Sequence, residues 1–185
     1  VCIKGQWYIF YHRQTHDNSY NRQGCAEPIR IAPDGSIAQA EMTSCGLNGG
    51  ALSGIGTYPA SICCNLSNGK MPHNRGKKKK FPQITSRNGK QFLTGLTDGC
   101  FVGYKYFDLT NTAHVAISCR GDFQGKIQVR DGLEGNIIGT AAVEPSGTWK
   151  GTQTALSAPG LREKERVPLF LFFEGRGSLE VKELT

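Results

Sequence analysis

No run in these 185 residues is long and apolar enough to cross a bilayer as a helix, and no charged-then-apolar leader opens the chain. The first residue is Val1 rather than Met, so a fragment or a processed product is expected, from which a leader could have been lost. Helix signals are nearly missing: one charged stretch, LREKER at 161–166, is short and lies between Pro159 and Pro168. The seven cysteines (2, 25, 45, 63, 64, 100, 119) contain no CxxC and no Cys/His spacing suited to zinc. An odd count in a chain that is 38% apolar points to buried free thiols, with room for one disulfide, rather than to a disulfide framework. Adjacent Cys63 and Cys64 would point to opposite faces of an extended strand and could not share one core. GxSxG, Walker and HExxH patterns are absent. GLNGGALSGIG at 46–56 reads as a surface loop, since no strand–helix pattern surrounds it.

Acidic residues are scarce at the start: only Asp17 and Glu27 precede Asp34. The formal charge of +7 is concentrated in HNRGKKKK, where Arg75 and Lys77–Lys80 carry five positive charges and leave +2 for everything else. Flanked by Gly, Asn and Pro, with no aromatic residues between the cations, the cluster reads as a solvated loop. Neither a nucleic acid nor a membrane is expected as a partner.

What the chain does have is β-structure. WYIFYH, PIRIA, IAQAEM, SICCNL, QFLTGL, FVGYKYFDL, HVAISCRG, KIQVRD, NIIGTAAVE, TQTALS, PLFLFFEG and SLEVKEL are short strand-like runs. Turn residues such as Asp34-Gly35, Asn68-Gly69, Asn88-Gly89 and Asp131-Gly132 separate them. A boundary is read at the APDGS turn, residues 32–36. The piece before it, 1–35, is too short for a stable domain, whereas 36–185 suffices for a complete all-β module. In FVGYKY, alternation puts Phe101, Gly103 and Lys105 on one face and Val102, Tyr104 and Tyr106 on the other. One of these faces must be core. Trp149, in the Gly-flanked PSGTWKGTQ, reads as a turn entering a strand, where an exposed ligand platform is as plausible as packing.

From about Ile37 to Leu184 the chain resembles a carbohydrate-binding module of family 6. The landmarks are AQAEMTSCG at 38–46, GTYPASICCNL at 56–66, GLTDGCFVGYKYFDL at 95–109, ISCRGDFQGKIQVR at 117–130, SGTWKGTQT at 146–154 and the closing LFLFFEGRGSLEVKEL. The resemblance implies an all-β fold, a two-sheet jelly-roll sandwich, that binds β-glycans or their side chains and commonly holds a structural calcium. Carried over residue by residue, it implies calcium ligation by Gln39, Glu41 and Glu180. It implies a rim site for sugar with Trp149 and Phe92 as aromatics and Ser178 at the place of a hydrogen-bonding Asn. A site on a concave sheet face is the fallback.

GQWYIFYHRQTH at 5–16 resembles the last blade of the five-bladed propeller of glycoside hydrolase family 43, with His12 at the position that faces the propeller centre. Arg22, Gln23 and Glu27 would lie in the stretch returning to the module. That family needs three carboxylates from earlier blades, and neither Asp17 nor Glu27 matches their motifs, so this chain alone is not expected to hydrolyse anything. The implied function is targeting a secreted or periplasmic arabinofuranosidase or xylosidase to plant polysaccharide of the xylan or arabinan type. The second reading is a sandwich without sugar binding that packs on the catalytic propeller and stabilises it.

Overall fold

The computed structural model describes residues 1–18, 20–70 and 81–185, so the basic cluster Arg75 and Lys77–Lys80 lies outside the described residues. The chain opens as a small antiparallel sheet of β1 (Cys2–Ile3), β2 (Gln6–Gln14) and β3 (Arg22–Ile29), in that order. Then come the short strands β4 (Leu52–Ser53), β5 (Tyr58–Pro59) and β6 (Asn65–Ser67). The longer strands are β7 (Gln83–Arg87), β8 (Lys90–Leu96), β9 (Phe101–Asp108), β10 (His114–Gly121) and β11 (Gln124–Arg130). After them run β12 (Ile137–Val143), β13 (Ser146–Ala155), β14 (Val167–Arg176) and β15 (Leu179–Leu184).

These make two six-stranded sheets. One has the order β13-β10-β15-β8-β7, with β5 added to β15. The other has the order β12-β11-β14-β9-β4, with β6 added to β9. From β4 onward the chain changes sheet at every step except β7 to β8 and β11 to β12, so successive strands sew the layers together. Every second residue of each sheet then enters the shared core. Leu93, Leu96, Ile117, Leu179 and Val181 come from one layer; Val102, Tyr104, Ile127, Val129, Leu171 and Phe173 come from the other, all at most 1% exposed. At about 25 cal/mol per Å² of apolar surface, this interdigitated layer supplies most of the drive to fold.

The all-β expectation holds, and LREKER supplies only a three-residue 3-10 turn at Leu161–Glu163. Four local expectations need correction. IAQAEM is not a strand: Ile37 makes one isolated bridge to Ile31, and residues 38–43 join no sheet. The carboxylate of Glu27 holds the end of this stretch, accepting from the Thr43 amide (2.6 Å) and hydroxyl (2.8 Å), which binds it to the hairpin instead of a ladder. Tyr106 does not share the core face of Tyr104. Opposite Pro168, β9 carries the two residues Lys105 and Tyr106 between the pairs Tyr104–Leu169 and Phe107–Val167. This bulge passes the core position to Phe107. FPQITSR, unread as a strand, contains β7. Trp149 lies inside β13, which starts six residues earlier than TQTALS suggested.

All seven cysteines are free. Cys63 belongs to the sandwich core, whereas the Cys64 thiol turns to the Gly103 carbonyl (3.4 Å), so the adjacent pair does divide between two environments. Burial raises the pKa of both thiols above the ordinary value, which keeps them protonated and unreactive.

Candidate functional site

On the outer face of the sheet ordered β13-β10-β15-β8-β7, each strand contributes one side chain to a single cluster: Trp149, Arg120, Glu180, Phe92 and Arg87. Leu93 and Leu96 of β8 point into the core, so the intervening period leaves Phe92 on the opposite face, outside the core cluster. Phe92 is nonetheless 4% exposed. Trp149 meets it edge to face (centroids 5.6 Å apart, planes at 76°) across the two intervening strands. The Arg120 guanidinium lies 4.5 Å from the Trp149 ring centre and 5.7 Å from that of Phe92, and Arg87 lies 5.4 Å from Phe92. Arg120 Nε donates to Glu180 Oε2 at 2.6 Å, which fixes the guanidinium while it covers the rings.

Beside this cluster is an open depression of about 640 Å³ whose walls include Arg120, Asp122, Ser146, Ser178 and Glu180. The Ser178 amide donates to Asp122 Oδ1 (2.7 Å), tying the β10–β11 turn to the turn before β15. Gly177 makes this possible. Its φ is +89°, and a Cβ there would meet the Asp122 carbonyl at 2.5 Å. Arg120 is thus common to the two: it lies over Trp149 and walls the depression that Ser178 and Glu180 also line. An aromatic beside fixed hydroxyl, amide and carboxylate groups can stack on an apolar ring face while bonding its hydroxyls. Phe92, being buried, supports Trp149 and offers no ring face of its own. Arg120 and Asp122 were missed in the sequence; the signal available was CRGDFQG, a polar turn directly after a strand whose alternation exposes Arg120.

The outer face of the other sheet also carries rings. Phe101 and Phe172 are 5.4 Å apart and Arg130 lies 4.3 Å over Phe172. Phe101 and Gly103 share that face as the alternation required.

The three residues named for calcium do not converge. Glu41 accepts from Lys105 Nζ (2.9 Å) and the Tyr106 hydroxyl (2.8 Å), with Arg166 at 3.6 Å. Glu180, on the sheet that holds β10 and β7, serves Arg120 and, at 3.9 Å, Arg87. Gln39 is exposed. Each carboxylate is already neutralised by cations, and among the described residues no three His, Cys, Asp or Glu side chains form a metal-binding group. This donor set does not fit a calcium ion. Partial burial pushes the Glu41 carboxyl up, but the hydrogen bonds of Lys105 and Tyr106 and the charges of Lys105 and Arg166 bring it below its ordinary value.

The opening hairpin packs on the sandwich through polar groups. Arg13 donates to the Ser61 carbonyl (3.2 Å) and to the Gln23 side chain (2.8 Å), and Gln23 donates to Ser61 as well (2.8 Å). The Ile84 amide donates to the Thr15 carbonyl at the β7 edge. Glu27, 2% exposed, bridges to Thr43. Burial, then the charge of Glu27, pushes the Tyr11 phenol far up. His12 stands exposed opposite Gly24, and its neighbour Phe10 on the same strand is 52% exposed. A cavity of about 530 Å³ lies in the seam, with Arg13, Cys25, Thr43 and Cys63 among its walls.

No family model matches the chain. A xylosidase/arabinosidase of Thermoclostridium stercorarium is 37% identical over 197 aligned positions that take in the whole chain. The chain spans 40% of that relative's length. Among solved structures, a glycoside hydrolase family 43 arabinoxylan arabinofuranohydrolase from Bacillus subtilis, in complex with cellotetraose, matches with a TM-score of 0.60 and 19% identity. That match covers 100% of this chain and 39% of the other. A family 6 module from Clostridium stercorarium in complex with cellobiose matches with a TM-score of 0.58 and 20% identity, over 74% of this chain and 96% of its own. The chain is thus a relative of a xylosidase/arabinosidase, and its sandwich has the fold of the family 6 carbohydrate-binding modules.

Proposed function

We propose that the sandwich, residues 36–185, is a non-catalytic module that holds a glycoside hydrolase of the arabinofuranosidase or xylosidase type against plant polysaccharide. Residues 1–35 are the remnant of the last blade of its propeller, with His12 facing the propeller centre. The observation that carries this reading is Trp149, half-buried on β13 and braced by Phe92 and by Arg120, which also walls the polar depression. Trp149 stacks on a sugar ring while Ser178, Asp122 and Glu180 meet its hydroxyls. Tethering raises the local concentration of scissile bonds near the catalytic domain without new contacts to the bond itself. A polymeric substrate outside the cell goes with a secreted or periplasmic parent. Calcium has no part in the proposal, because the two carboxylates named for it are held by cations on different sheets.

Affinity electrophoresis in arabinoxylan, xylan and β-glucan tests it. Retardation by a xylan-type polymer that Trp149→Ala abolishes is the expected result; equal retardation of both proteins removes Trp149 from the site. The polar seam favours a second role alongside the first: Glu27, Arg13 and Gln23 fasten the sandwich to the hairpin, so the module also stabilises the blade it adjoins.

A further inference from the structure

The cluster around Trp149 is not symmetric in charge. At the depression, Asp122 and Glu180 supply carboxylates, and Glu180 is spent on Arg120 at 2.6 Å. At the far end, Arg87 has a side chain 60% exposed, and its closest carboxylate oxygen, on Glu180, is 3.9 Å away. Arg87 is the last residue of β7 and pairs across the sheet with Lys90, the first of β8. The two residues between, Asn88 (φ 52°) and Gly89 (φ 73°), form a tight hairpin turn with both central residues left-handed. Cross-strand partners share a face, so this turn presents two cations side by side on the same surface as Phe92 and Trp149. Like charges set directly opposite cost stability. The fold keeps them next to a ring cluster that Arg87 partly covers.

We infer that this face reads an acidic glycan: a sugar chain whose uncharged rings lie over Trp149 and whose uronic-acid carboxylate is received by Arg87, with Lys90 beside it. The planar guanidinium fork matches a carboxylate in bidentate fashion, and its stacking on Phe92 limits its motion, so little side-chain freedom is lost on binding. Glu180 holds Arg87 only loosely, through Oε1 at 3.9 Å, because its short bond goes to Arg120. Asp122 sets the register: a carboxylate placed at its end of the depression would be repelled, which directs the acidic substituent to the hairpin tip. This inference rests on the module reading above and names the class of chain that its surface selects.

The test uses the 185-residue chain and three polymers: a xylan with uronic-acid substituents, the same xylan with its carboxyl groups reduced to alcohols, and a neutral arabinoxylan. Titration calorimetry at low salt is expected to give roughly ten-fold tighter binding of the acidic xylan than of its reduced form, the size of one partly exposed charge-assisted contact. That ratio falls toward one in Arg87→Gln and in about 0.5 M NaCl, where screening is strong. Arg87→Lys, which keeps the charge and loses the fork, gives an intermediate ratio. Equal binding of the acidic and reduced xylans overturns the inference and leaves the module reading standing, as does an undiminished ratio in Arg87→Gln. Failure of all three polymers to bind overturns both.

Discussion

The chain has two tryptophans, one in each region, and they live differently. Trp7, in the opening hairpin, is 43% exposed among other open apolar side chains, Ile9 and Phe10. Trp149, on the sandwich, is braced by a phenylalanine at 5.6 Å and capped by a guanidinium that a carboxylate holds in place. Trp7 and Ile9 share one face of the hairpin with Arg13, Gln23 and Glu27, yet only the polar residues of that face bond to the sandwich. Around Trp149 the rings themselves are packed, with the polar groups bordering them. Open apolar surface on a sheet this small is a surface suited to packing against further structure. Fixed polar groups around a supported ring are what a sugar needs.

The largest effect that can sharpen this contrast is at the seam. Glu27→Ala removes a carboxylate buried to 2% and strands the Thr43 amide and hydroxyl; a loss of about 3 kcal/mol in urea unfolding is expected. Hydrogen exchange should show the Thr43 amide opening first. A loss under about 0.5 kcal/mol would mean that the seam is not the fastening described. Next comes Trp149→Ala, expected to weaken binding of a xylan oligosaccharide by about thirty-fold, near 2 kcal/mol, in a protein that still melts cooperatively. Arg120→Ala should follow, lowering stability by about 1–2 kcal/mol because Glu180 is left without its close partner. A cost no greater than that of a surface substitution would deny Arg120 its bracing role.

The smallest effect concerns pH. The folded-state carboxyl of Glu41 lies below its ordinary value, so its contribution is fully present above the ordinary value and fades as pH falls through the folded one. Its side chain is 46% exposed, so solvent screens the pair and the contribution is about 0.5 kcal/mol at most. Unfolding midpoints of Glu41→Gln and the parent chain should differ slightly at neutral pH and converge as the carboxyl is protonated in acid. A gap that widens in acid would reverse the sign of this account.

Much of the sandwich was legible because period-two alternation survives wherever a strand is buried on one face. Val102 and Tyr104 could be put on one face from spacing alone, with the choice of core face left to the structure. Legibility ended where a partner strand decides. The bulge at Lys105–Tyr106 depends on Pro168 across the ladder, which local alternation does not report. The glycines of PSGTWKGTQ suggested a turn, yet Gly151 pairs with Ser118 and Lys150 with Cys119, and the ladder overrides propensity. Residues 38–43 look like a strand but are captured by Glu27, a contact between distant parts of the chain. Of the site, Trp149 and Ser178 could be named in advance. Burial of Phe92, and the assignment of Glu41 and Glu180 to arginines and a lysine, arise from side chains on separate strands and loops.

Two indole signals make the most direct test. In a ¹⁵N–¹H titration of the chain with a xylan oligosaccharide, the Trp149 indole and the Ser178 amide are expected to shift together and saturate at one affinity, while the Trp7 indole stays still. Movement of Trp7 with Trp149 unmoved, or stillness of both at saturating sugar, would contradict the claim that the supported ring on the sandwich is where carbohydrate binds.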